Sequence, residues 1–154
     1  MLGFFSRKKK ETYGPRVYLS EPTILYHTHT EKAILQLLGE RFNSNNFVVP
    51  SEYGLKTTDH LIPEADIFVA VAIVGKFTSL VVREVKTAQE LGKRIYTLDI
   101  ARKDDEILYH LQEGIPEHIE WLTPEETQEL YDAFRGEDFS GFMKFFIGDR
   151  RRQW

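Results

Sequence analysis

The sequence contains no cysteine. That absence removes disulfides, thiolate nucleophiles and zinc-thiolate sites, and it leaves a reducing interior allowed. Nor does any apolar run approach the ~20 residues of a membrane span, and Leu2-Gly-Phe-Phe5 is too short and too soon followed by charge for a signal peptide. A soluble, cytoplasmic protein is the expectation. Glycine-rich phosphate loops are missing as well. Gly75-Lys76 lacks the spacing of a Walker loop, no GxGxxG follows the first strand, and no serine sits in a nucleophile elbow. There is no internal repeat. His27 and His29, two apart in one loop, could join His60 on a metal, but surface histidines are the commoner explanation, and neither metal nor cofactor is expected.

What is present suits a single domain. With 154 residues, 42% of them hydrophobic, the chain has enough apolar material for one core but not comfortably for two. Its formal net charge of −4 hides a division. Removing the basic runs Arg7-Lys8-Lys9-Lys10 and Arg150-Arg151-Arg152 leaves −11 on the rest. An acidic body argues against broad nucleic-acid binding. Each basic run follows a pair of aromatics, Phe4-Phe5 or Phe145-Phe146, a composition compatible with contact at a membrane surface. The plainer reading makes residues 1–14 and 149–154 solvated tails.

Asp66 to Ile73 is almost continuously apolar and rich in β-branched residues, as is Arg94 to Ile100, and both read as parallel strands buried on two faces. Between them the pattern predicts a helix over 79–92, capped by Ser79 and closed by Gly92. Arg16 to Ser20 and Phe47 to Pro50 are two earlier strands, separated by a helix that Thr28 and Glu31 start as a capping box. The segment from Ser51 to Pro63 lacks a period and reads as a loop or short helix. Asp104 to Gln112 is expected to be helical and His118 to Leu122 a last strand. Thr123, Pro124 and Glu126 then begin another helix. Phe139, Phe142, Phe145 and Phe146 form a stripe at helical spacing, better read as core packing than as a cofactor box.

Alternating strands and helices imply an α/β fold, three-layer and flavodoxin-like or Rossmann-like, with a five-stranded parallel sheet in the order 2-1-3-4-5. Its switch point would lie between the first and third strands, lined by Tyr18, Ser20 and Glu21 and by residues 75–79. Glu84 is the candidate working residue at that place. On a wheel of about 100° per residue it falls in the apolar sector with Leu80, Val81, Val85, Ala88 and Leu91. A carboxylate there is costly to bury without compensation. The bland alternative is a Glu at the rim, or one paired with an arginine. Thr78, Ser79 and the first helical amides could hold a phosphate or a ribose hydroxyl. Asp59 could supply a second carboxylate, and two acids at a sugar-sized site suit glycosidic chemistry.

Val17-Tyr18-Leu19-Ser20, the Ala65-Asp66 strand opening, and Ser79…Glu84…Ala88…Leu91-Gly92-Lys93 resemble the nucleoside 2-deoxyribosyltransferase-like superfamily. That family includes nucleotide N-glycosidases and is structurally related to TIR-type NAD hydrolases. The similarity covers roughly residues 15–100. It implies Glu84 as nucleophile at the anomeric carbon, Asp59 as helper in base protonation and Tyr18 as the group orienting the nucleophile. Ser20, Thr78 and Ser79 become substrate-binding candidates. Family members often complete the site from a partner subunit, so a homodimer is compatible. Two departures stand out. Val81-Val82-Arg83 occupies the place where the family has glycines, and the loop from Ala72 to Thr78 lacks the acid that transferases use for sugar hydroxyls. Ser79 in its stead favours a nucleotide over a free nucleoside. The competing expectation is a non-catalytic nucleotide-binding or protein-interaction module of the same fold.

Overall fold

The computed structural model describes residues 11–137 apart from Leu55 and Asp105. The aromatic stripe from Phe139 and the basic termini lie outside the described residues. The chain runs through β1 (Val17–Ser20), α1 (His29–Phe42), β2 (Phe47–Val48), β3 (Ile67–Ile73), β4 (Lys76–Phe77), α2 (Ser79–Glu90), β5 (Arg94–Lys103), β6 (Glu106–Glu113), β7 (Glu120–Trp121) and α3 (Pro124–Glu137). Short 3-10 helices occupy Thr23–Leu25, Pro50–Tyr53 and Asp59–Glu64. The result is an α/β fold with a mostly parallel, mixed sheet.

β1 is paired in parallel with β2 on one side and β3 on the other, and β3 with β5. β3 is buried at every position because both of its faces are covered. On one face, Ile34 and Leu38 of α1 pack on Val17, Leu19, Val69, Val71 and Leu98. On the other, Val81, Val85 and Ala88 of α2 pack on Tyr18, Phe68, Ala70 and Ala72. The two-residue alternation of a strand thus divides β1 between the layers.

The sheet departs from the expected five parallel strands. Seven strands take part among the described residues. The segment expected as a helix over 104–112 is β6, which folds back antiparallel on β5 with Lys103 opposite Glu106. Its alternation is the physical reason: Ile107, Tyr109 and Leu111 pack on the α1-side core while Leu108 is exposed. The acidic start Asp104-Asp105-Glu106 mimics a helical first turn, but Asp104 adopts φ +57°, the left-handed conformation of a hairpin turn. The expected last strand shrinks to β7, which pairs in parallel with β4 instead of extending the sheet beyond β5. β4 itself arises from a tight reversal at Val74-Gly75, both at positive φ (48° and 74°). A β-branched residue is strained there. Hydrogen bonds from Val74 N–H to the Ile100 carbonyl and from Gly75 N–H to Asp99 Oδ1, each 2.8 Å, hold the turn.

The helix starts are legible in the caps. Thr28 Oγ1 accepts the Glu31 N–H at 3.1 Å. At α3 the box is reciprocal, with Thr123 Oγ1 accepting from Glu126 N–H at 3.1 Å and Glu126 Oε1 accepting from Thr123 N–H at 3.0 Å. Replacing Thr123 by alanine removes one partner and should cost about 1 kcal/mol in urea denaturation. Unchanged stability would show that the box contributes nothing to this exposed helix start. α2 is capped differently from expectation. Thr78, not Ser79, holds the cap position and its side chain makes no cap bond. The Ser79 N–H is instead donated to Thr127 Oγ1 of α3 at 2.9 Å, so one helix caps the next.

Candidate active site around Glu84

Tyr18 and Ser20 lie two residues apart on β1 and therefore face the same layer, where α2 presents Glu84. Ser20 Oγ donates to Glu84 Oε1 at 2.7 Å. Tyr18 Oη donates to Glu84 Oε2 at 2.9 Å and lies 2.6 Å from Thr58 Oγ1. Because the phenolic proton is committed to the carboxylate, the Thr58 hydroxyl must be the donor to Tyr18. Tyr18 is fully buried and stacked on Phe68. The three hydroxyls form a chain that fixes both oxygens of Glu84.

Glu84 is 2% exposed. Burial pushes its carboxyl above the ordinary range; the Ser20 and Tyr18 hydrogen bonds oppose that rise, Asp59 adds to it, and Arg83 counters it. The Tyr18 phenol is raised in turn, chiefly by burial and by the Glu84 charge. Glu84 nevertheless opens on a cavity of about 310 Å³. Tyr26, Thr58, Leu80, Arg83 and Lys56 line it with Glu84. A cavity of this size suits a small ligand. The Tyr26 phenol is held up by burial and by the Glu84, Glu21 and Glu31 charges, so it stays protonated and can only donate or accept a hydrogen bond.

Of the residues singled out from the sequence, Glu84, Tyr18 and Ser20 come together. Asp59 does not line the cavity and instead pairs with Arg83 at 3.2 Å. Thr78 is buried, and Ser79 belongs to a neighbouring groove. Val81 packs into the core and Val82 lines that same groove, so the bulk at 81–82 points away from the Glu84 cavity. Thr58, Tyr26 and Lys56 carry no signal in the sequence that would have marked them, since only the fold brings their loops over α2, and Arg83 reads there only as a polar position of that helix. His27, His29 and His60 belong to no group of three or more metal-ligating side chains among the described residues. No helix among the described residues is long and apolar enough to cross a membrane.

A second carboxyl pair lies on the opposite side of β1. Glu21 follows Ser20, so strand alternation sends it toward α1, where it meets Glu31. It is 1% exposed, and neither of its oxygens meets a donor among the described residues. Burial first, then the adjoining Glu31 carboxyl, push Glu21 well above the ordinary carboxylate range.

Compared with known proteins, the chain matches no family model, and no curated protein or solved structure matches it either.

Proposed function

We propose that the protein cleaves the N-glycosidic bond of a nucleotide, as a nucleotide N-glycosidase or a deoxyribosyltransferase-like enzyme on a flavodoxin-like scaffold. The observation that carries this reading is a buried Glu84 whose two oxygens are fixed by Tyr18 and Ser20 while the residue still lines a cavity flanked by Lys56 and Arg83. The resemblance of residues 15–100 to the 2-deoxyribosyltransferase-like superfamily supports the same assignment. A Glu84 oxygen attacks the anomeric carbon, the carbon–nitrogen bond breaks, and the base leaves with the electron pair and takes up a proton. Water, or an acceptor base, then displaces Glu84 from the glycosyl ester. Lys56 and Arg83 meet the anionic part of the nucleotide. In this scheme Asp59 acts by holding Arg83.

The nucleophile must be ionised, so the acid limb of the pH–rate profile follows Glu84. Tyr18→Phe deletes a hydrogen bond that favours the charged form. The limb should move to higher pH, and a limb left in place would detach Tyr18 from the nucleophile.

The test of function is chromatographic detection of base release from ribo- and deoxyribonucleosides, their monophosphates and NAD. A second reading, a nucleotide-binding module without catalysis, is favoured by the near-complete burial of Glu84. Binding without base release from any member of the panel would select it.

A further inference from the structure

Beside the Glu84 cavity runs a larger open groove of about 560 Å³. Leu80 and Val82 of α2 form one wall, Trp121 and Pro124 the other, and Arg83 and Lys86 lie along it. Leu80 and Arg83 line the Glu84 cavity as well, so the two hollows share a wall and meet across the first turns of α2. Trp121 is 36% exposed. Its ring meets Phe77 edge-on at 5.7 Å between centroids, and Phe77 is fully buried, which fixes the orientation of the indole.

Apart from the buried Glu84 itself, the charged residues lining the two hollows are all cations. Arg83 is held by Asp59, while the ammonium groups of Lys56 and Lys86 form no ion pair with a described residue. On a body whose net charge is −11 without the terminal basic runs, three cations gathered along two adjoining hollows mark a track for an anion. The far end of the track is an aromatic and aliphatic slot, the surroundings that a planar ring seeks.

We propose that the ligand of the Glu84 cavity continues over Arg83 into this groove, and that it is a dinucleotide joined by a pyrophosphate. One ribose lies at Glu84, the phosphates follow Arg83 and Lys86, and the second base rests against Trp121. The ligand class rests on the glycosidase reading of the cavity, whereas the groove's selectivity is measurable without turnover.

The experiment compares, in the Glu84→Gln background that blocks cleavage, the affinities of 5′-monophosphates of adenosine, guanosine and uridine with those of the corresponding symmetric dinucleoside diphosphates. The dinucleotide of the preferred base should bind about tenfold more tightly than its mononucleotide, as stacking of one base on an aromatic ring allows. Trp121→Ala should erase that preference. Lys86→Glu, at an exposed position, should reduce it as well and serves if the tryptophan variant does not fold. Equal affinities in the parent background, or a preference that survives both substitutions, overturn the assignment. Base release by the unsubstituted protein separates the two readings. Release from mononucleotides with no dinucleotide preference sinks the groove and leaves the glycosidase; a preference lost on either substitution, without base release from any nucleotide, does the reverse.

Discussion

Glu84→Gln is expected to lower base release by about 10³-fold or more, the scale on which losing a reacting side chain is felt. The substitution is nearly isosteric and neutral, which matters at a buried position. A glutamine oxygen can still accept from one of the two hydroxyls, and its amide nitrogen can donate to the other if that hydroxyl turns. The variant should therefore fold, with a melting temperature at or above the parent's, because the carboxylate it replaces is raised in pKa by burial. What it lacks is an oxygen nucleophilic enough to form the glycosyl ester. Single-turnover release of base, read by chromatography beside a thermal melt, separates chemistry from folding. Equal release by parent and variant would remove Glu84 from the reaction and with it the proposed mechanism.

The second large effect concerns stability. Glu21 has a folded-state pKa well above its ordinary value because it is buried against Glu31. The native protein therefore holds a proton that the unfolded chain releases at about pH 4.3. Stability from this group is fully present below that ordinary value and is lost as pH rises toward the elevated folded-state value, with a slope reaching about 1.4 kcal/mol per pH unit for one proton. Glu21→Gln supplies a permanent donor to Glu31 and removes the titration. At pH 8 the variant should exceed the parent by roughly 1–3 kcal/mol, the cost of leaving a buried polar group unsatisfied. Near pH 4 the two should converge. Urea denaturation across that range reads the difference, in which other titrating groups cancel. Parallel curves for the two proteins would show that Glu21 is not the group losing its proton. Base release should persist in this variant, since Glu21 faces α1 and not the Glu84 cavity.

These two carboxyl systems differ in how far the sequence discloses them. Glu84 is visible because an acid in the apolar sector of a helix is an anomeric choice, and Tyr18 and Ser20 follow from alternation along a strand that ends beside it. The Glu21–Glu31 contact is legible in the same alternation, which turns Glu21 away from the crevice expected to hold it with Tyr18 and Ser20. Asp59 is a different case. Its place depends on a 3-10 turn, and a short turn aims each successive side chain in a new direction, so Thr58 reaches Tyr18 while Asp59 reaches Arg83. The segment 104–112 is ambiguous in sequence for another reason. Glu106 to Glu113 alternates as a strand does, yet the three acids at 104–106 imitate a helix start, and only the backbone edge left open by β5 decides between them. Val74-Gly75 leaves no local sign of a reversal either, because valine is a poor residue for positive φ and the turn is held by Ile100 and Asp99 from a distant strand.

β1 is four residues long, and its function is a matter of parity. Its even-numbered residues serve Glu84 and its odd-numbered ones serve the α1 side, continuing to Glu21. A change in the length of the loops around it alters reach, whereas the gain or loss of one residue inside it would exchange the two sets. Leucine and valine would then confront Glu84 while tyrosine and serine met α1. The strand is thus a frame in the sense that a reading frame is: tolerant at its borders, and without any tolerance for a shift of one within.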